Sequence, residues 1–197
     1  MNGVVVVPTG TANLASVLAA FRRLDAPAVL AERAEQIEAA SHVVLPGVGT
    51  FGAAMAEIDA RGFAGSLRAR LAADRPTLGF CVGLQIMFET SEESPGATGL
   101  GALAGQIRRF PDTVRVPQFG WNHIEPEATC RFLQPGYAYF ANSYHADDAP
   151  GCAQALAEHG GRFLAAFERG GILGCQFHPE LSGPFGQALI GRWLAEA

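Results

Sequence analysis

Apolar and polar positions alternate between two periods along the chain. Residues 3–7 (GVVVV) form a short β-branched apolar run, the pattern of a strand buried on both faces. Asn13-Leu14-Ala15-Ser16 then leads into a helical period ending near Leu24. Residues 27–31 and His42-Val43-Val44-Leu45 read as the second and third strands, the latter stopped by Pro46-Gly47. Residues 52–73 are rich in Ala, Arg and Leu and predict a helix broken near Gly62. Pro76-Thr77-Leu78-Gly79-Phe80 reads as a fourth strand and residues 82–90 as the helix after it. This alternation predicts an α/β fold with a parallel sheet covered by helices on both faces and right-handed crossovers.

From there the pattern shortens. Residues 103–110, 114–124, 137–142, 152–158, 163–168 and 171–177 read as short strands separated by Gly, Pro and Asp, and are expected to add antiparallel strands to the same sheet. Gly183-Pro184 opens a last helix over 185–195. No repeat or linker interrupts the pattern, so residues 1–197 are read as one domain.

Composition narrows the function. Hydrophobic residues make up 49% and charged residues 17% of the sequence, too apolar for a disordered chain. No apolar run reaches the ~20 residues that span a bilayer, and no basic segment precedes residues 4–7. A cytoplasmic protein is expected. The net charge is −5, and the densest basic pair is Arg108-Arg109, which gives no footprint for nucleic acid. All 14 basic residues are arginine. A Walker A phosphate loop, a lysine Schiff base and a Ser-Lys dyad are therefore excluded. The four cysteines and five histidines show neither CxxC nor HExxH spacing, so no metal and no cofactor is expected.

Three segments could carry chemistry. Gly79-Phe80-Cys81-Val82-Gly83 has the spacing of a nucleophile elbow where a strand meets a helix. There the Val82 N–H could serve as an oxyanion donor. A buried cysteine between ordinary glycines fits the same spacing. Gln176-Phe177-His178-Pro179-Glu180 closes a strand with an imidazole and a carboxylate two residues apart, a general base and its orienting group. A histidine in a turn beside a solvated glutamate fits as well. Together, however, Cys81, His178 and Glu180 form a triad in an acceptable chain order. Leu45-Pro46-Gly47-Val48-Gly49 is a glycine-rich loop that could present a second oxyanion N–H, from Val48; a plain turn is the ordinary alternative.

The elbow and the His-Pro-Glu segment resemble those of class I, triad-type glutamine amidotransferases. Further segments are similar to the glutaminase subunit of imidazole glycerol phosphate synthase. These are Asn13-Leu14-Ala15-Ser16, Leu45 to Gly52, Phe88 to Glu93, Gly99-Leu100-Gly101, Val116 to Asn122 and Tyr139 to Tyr144. The resemblance implies that Cys81 attacks the side-chain amide of glutamine while His178 moves protons and Glu180 orients His178. It further implies glutamine contacts at Gly47, Gly49, Gln85, Ser143, Tyr144 and His145. Ammonia would pass to a partner, a (β/α)₈-barrel synthase subunit, across an interface that includes Pro117, Trp121 and Asn122. The opening Val7-Pro8-Thr9-Gly10-Thr11-Ala12-Asn13-Leu14 departs from the family's Asp-Tyr-Gly-x-Gly-Asn-Leu, and Gln118 stands where the family often has histidine. A glutaminase serving pyridoxal phosphate, anthranilate or guanylate synthesis, a stand-alone thiol hydrolase, and a non-catalytic scaffold are the rival readings.

Overall fold

Nine strands share one sheet, in the order β2-β1-β3-β4-β12-β11-β10-β7-β8. The computed structural model describes residues 3–10 and 13–196. Thr11 and Ala12, in the departing opening, lie outside the described residues.

The first five strands in that order are parallel: β2 (Ala28–Leu30), β1 (Val4–Val6), β3 (His42–Leu45), β4 (Thr77–Phe80) and β12 (Ile172–Cys175). Between them run α1 (Leu14–Arg22), α2 (Ala34–Ala39), α3 (Phe51–Ala60), α4 (Ala64–Ala72) and α5 (Val82–Gln85). The period-2 alternation of the β-branched runs decides which face each helix covers. Val5, Val43 and Leu45 pack with Ile37, Ile58, Leu67 and Leu84 under α2 to α5. Val4, Val6 and Val44 pack with Val17, Phe21, Leu189 and Trp193 under α1 and the last helix, α6 (Gly183–Glu196). Asn13 caps α1 by accepting from the Ser16 N–H at 3.2 Å. The predicted break at Gly62 separates α3 from α4, with Gly62 at φ +71.

The antiparallel additions are β11 (Arg162–Arg169), β10 (Ala153–Glu158), β7 (Gln118–Pro126) and β8 (Gly136–Asn142). The run read over 103–110 does not join them. Its strand, β6 (Gln106–Arg109), lies in a separate three-stranded sheet between β5 (Thr90–Ser91) and β9 (Tyr144–His145).

The helix read over 82–90 is also shorter than expected. After α5 the backbone tightens, with the N–H groups of Met87 and Phe88 bonding three residues back to Leu84 and Gln85. The carbonyls of Ile86, Met87 and Phe88 are taken instead by N–H groups of residues 100–103, which fold across them. α2 fills the place that the strand–helix alternation leaves between the second and third strands, though the sequence pattern sets no bounds for it. The Gln36 side chain starts it by accepting from the Glu32 and Arg33 N–H groups at 2.7 and 2.9 Å.

Among the described residues, no helix is long and apolar enough to cross a membrane.

Candidate active site

The carboxyl ends of β3, β4 and β12 converge on one cavity. β4 delivers Cys81 at φ +48, ψ −107, a region that non-glycine residues rarely adopt. The surroundings over-determine this strained turn. The Cys81 N–H donates to the Cys175 carbonyl at 2.7 Å. A Cβ on Gly83 would stand 1.7 Å from the Leu45 carbonyl oxygen, and one on Gly47 would stand 2.8 Å from the Val82 Cβ. Only glycine fits at either place, so the elbow glycines serve close approach of backbones.

β12 delivers the imidazole. The His178 N–H donates to the Tyr139 carbonyl at 2.9 Å. The Ser182 hydroxyl donates to the His178 carbonyl at 2.7 Å and accepts from the Tyr139 N–H at 2.9 Å. A short 3₁₀ turn, Pro179–Leu181, carries Glu180 round behind the ring. Its Oε1 lies 2.9 Å from His178 Nδ1. A carboxylate only accepts, so Nδ1 donates and Nε2 is left for the sulfur. Burial works against a charge on His178, yet hydrogen bonds to Cys81 and Glu180 and their negative charge outweigh it and raise its pKa to about 10. Protonation of His178 is therefore favoured over that of a free imidazole.

The other thiols sit differently. Burial pushes Cys130 up to about 12, Cys152 upward, and Cys175 well above the ordinary range, with Glu168 adding to the rise at Cys130 and Cys175. All three stay protonated and poorly nucleophilic.

The cavity at Cys81 measures about 290 Å³ and is lined by Val48, Gly49, Val82, Gln85, Glu93, Phe119, Ala141, Asn142, Ser143, Tyr144 and His178. That is room for an amino-acid-sized molecule. A roomier depression of about 430 Å³ beyond the ends of β1 and β2 is lined, among the described residues, by neither cysteine nor histidine. Val82 opens α5, so its N–H lies outside the helical ladder and beside the sulfur. Gly49 stands at φ +98, next to the exposed Val48.

The family model for glutamine amidotransferase class-I matches residues 11–197. The chain belongs to the class-I glutamine amidotransferases. Among curated relatives, imidazole glycerol phosphate synthase subunit HisH of Symbiobacterium thermophilum is 36% identical, covering 98% of this chain and 93% of the relative. The protein of the same name from Methanothermobacter thermautotrophicus is 37% identical, covering 97% of each. Solved structures share the fold at lower identity. A glutamine amidotransferase crystal structure has TM-score 0.78 and 22% identity over 98% of both chains. PurLQS from Thermotoga maritima has TM-score 0.74 and 16% identity over 99% of both.

Most of the residues expected at this amidotransferase's site line the cavity, but three do not behave as expected. His145 is turned away: it stacks on Phe110 at 4.2 Å, and burial lowers its pKa. Gly47 packs its backbone behind Val82 and is absent from the cavity wall. Asn122 does not share the face of Trp121, because adjacent strand positions point to opposite sides; its amide donates to the Glu158 carbonyl at 2.9 Å. Trp121 is 57% exposed and stands edge-on to Tyr139, while Pro117 is half-buried just before β7.

Two side chains at the site were quoted in motifs without a role. Among the described residues Glu93 is the one carboxylate in the cavity wall, and it accepts from the Phe51 N–H at 2.8 Å. A loop glutamate carries no signal of this in sequence. Gln176 places its Nε2 3.6 Å from Cys81 Sγ. The strand read over 171–177 ends at Cys175, so residues 176 to 178 lie past its pleat and local pattern does not point Gln176 at the sulfur. Among the described residues, no group of three or more His, Cys, Asp or Glu is disposed to hold a metal ion.

Proposed function

We propose that this chain hydrolyses glutamine to glutamate and ammonia, and that it is the glutaminase subunit of an imidazole glycerol phosphate synthase in histidine biosynthesis. The observation that carries the reading is the elbow cysteine beside His178, whose Nδ1 is held by the buried Glu180 carboxylate at 2.9 Å. The near full-length match to relatives named as subunits of that synthase supports the partner.

In this reading the Cys81 thiolate adds to the carboxamide carbon of glutamine. The oxyanion is met by the Val82 N–H and, once the Gly47–Val48 peptide turns over, by the Val48 N–H. His178 Nε2 gives its proton to the leaving nitrogen, and ammonia departs from a glutamyl thioester. Water then attacks the thioester while His178 takes its proton. Glutamate leaves, and the thiolate–imidazolium pair is restored. Glu93, with Ser143 and Tyr144, supplies polar contacts for the amino-acid end of glutamine, the carboxylate facing the ammonium.

Phe119, Trp121 and Tyr137, which are 65%, 57% and 62% exposed, lie on the ribbon whose Phe119 also lines the cavity. They offer the (β/α)₈-barrel subunit a docking face beside the site that makes the ammonia. Residues 1–197 act as one glutaminase domain, located in the cytoplasm. The test is glutamate release by the chain alone, with the barrel subunit, and with the barrel subunit and its own substrate. Release should rise across that series; equal rates in all three would contradict a coupled subunit.

A further inference from the structure

We infer that Gln176 is a catalytic residue that donates a hydrogen bond to the Cys81 sulfur, and that Gln85 is the positioning residue that fixes which end of the Gln176 amide meets it. The inference rests on Cys81 being the nucleophile.

The direction of the amide chain follows from its far end. The Tyr144 carbonyl can only accept, and Gln85 Nε2 donates to it at 3.0 Å. The second N–H of the same nitrogen reaches Gln176 Oε1 at 3.1 Å. Gln176 must therefore accept through its oxygen, and its Nε2 is the end that faces Cys81 Sγ at 3.6 Å. Gln85 is 3% exposed and Gln176 is fully buried, so water does not compete for these bonds. A backbone carbonyl two residues removed thus ensures that the sulfur meets an N–H. The reversed amide would set a carbonyl oxygen against a thiolate and disfavour its charge. Gln176 adds a second donor to the one His178 supplies, from another direction.

The titratable groups around Cys81 are His178 with Glu180 behind it, Glu93 and Tyr144 across the cavity, and the Cys175 thiol on the adjoining strand. None of them is altered by replacing either glutamine with methionine, which keeps chain length and apolar bulk. In Gln85→Met the Tyr144 carbonyl still accepts from Asn142 Nδ2 at 3.0 Å.

The test is the rate of Cys81 alkylation by iodoacetamide against pH, on the full chain, with circular dichroism and a thermal melt for each variant. Thiolate is the reacting form, so losing a donor moves the midpoint up. Gln176→Met should raise it by about one pH unit, a tenfold smaller thiolate fraction at a fixed lower pH. Gln85→Met, which leaves Gln176 free to turn over, should raise it by less. A wild-type midpoint in Gln176→Met overturns the donor, and one in Gln85→Met overturns the relay. If the fully buried Gln176 does not tolerate replacement, Gln85→Met carries the test alone. Alkylation reports the sulfur whether or not glutamine is turned over. Failure of the glutaminase reading would show separately, as no glutamate release by the wild-type chain with its barrel partner, and failure of the Cys81 nucleophile as release that survives Cys81→Ala.

Discussion

The two sides of the nine-stranded sheet end in opposite ways. On the parallel side, β3, β4 and β12 run into a junction so crowded that a single methyl on Gly83 would sit 1.7 Å from the Leu45 oxygen. Cys81 and His178 are 5% and 3% exposed there, each held by backbone bonds. On the antiparallel side, β7 and β8 leave Phe119, Trp121 and Tyr137 largely in solvent. The proposed triad sits where the backbone leaves little freedom, and the proposed docking face where side chains are exposed. Changes on the first side should therefore abolish turnover or fold, and changes on the second should alter association alone.

The sharpest break of that comparison is at the triad. Cys81→Ala and His178→Ala should each lower glutamine turnover by ~10³-fold or more, measured as steady-state glutamate release, with the melt preserved. Cys130→Ala should leave turnover near the wild-type rate.

Glu180→Gln comes next. In the proposed mechanism the carboxylate only orients and stabilises the imidazolium, so turnover should fall by about 10²-fold, less than for His178→Ala. The same contact governs titration. The pKa of His178 is raised, so its protonated form is the favoured one and persists up to about pH 10. An NMR titration of the ring should show that midpoint in the wild type. Cys81→Ala should lower it, and Glu180→Gln should lower it too, because each removes a partner of the charged form.

Gly83→Ala tests the crowding itself. Neither the Leu45 carbonyl nor the elbow can retreat far, so denaturant unfolding should show a loss of about 3 kcal/mol. Trp121→Ala tests the opposite side. Its affinity for the barrel subunit should fall by about 2 kcal/mol if it anchors the interface, while the melt of the isolated chain stays put. A large stability loss with unchanged binding would erase the distinction between the two sides.

How much of this could be read from sequence follows the same division. The parallel half was legible because β-branched runs such as Val4–Val7 and punctuation such as Pro46-Gly47 report buried strands directly. The elbow was legible only together with its partner segment: glycines at 79 and 83 fit a buried cysteine as well, and it is Gln176 to Glu180, late in the same domain, that points to a triad. The fate of residues 103–110 was not. A four-residue strand carries no record of which sheet it joins, and β6 is decided by pairing with Thr90-Ser91 and Tyr144-His145. His145 was misplaced for a related reason: it follows two cavity residues, but pairing with β6 and stacking on Phe110 turn it into the core. Glu93 and Gln176 act through distant partners, Phe51 and Cys81, which local pattern does not encode.

The most direct measurement is covalent. The full chain is treated with a glutamine-analogue diazoketone, with and without excess glutamine, and the modified peptide is mapped by mass spectrometry. Labelling should fall on Cys81 alone, be suppressed by glutamine, and vanish in Cys81→Ala. Modification of Cys130, Cys152 or Cys175 in its place, or labelling that ignores glutamine, would contradict a Cys81 nucleophile in a glutamine site.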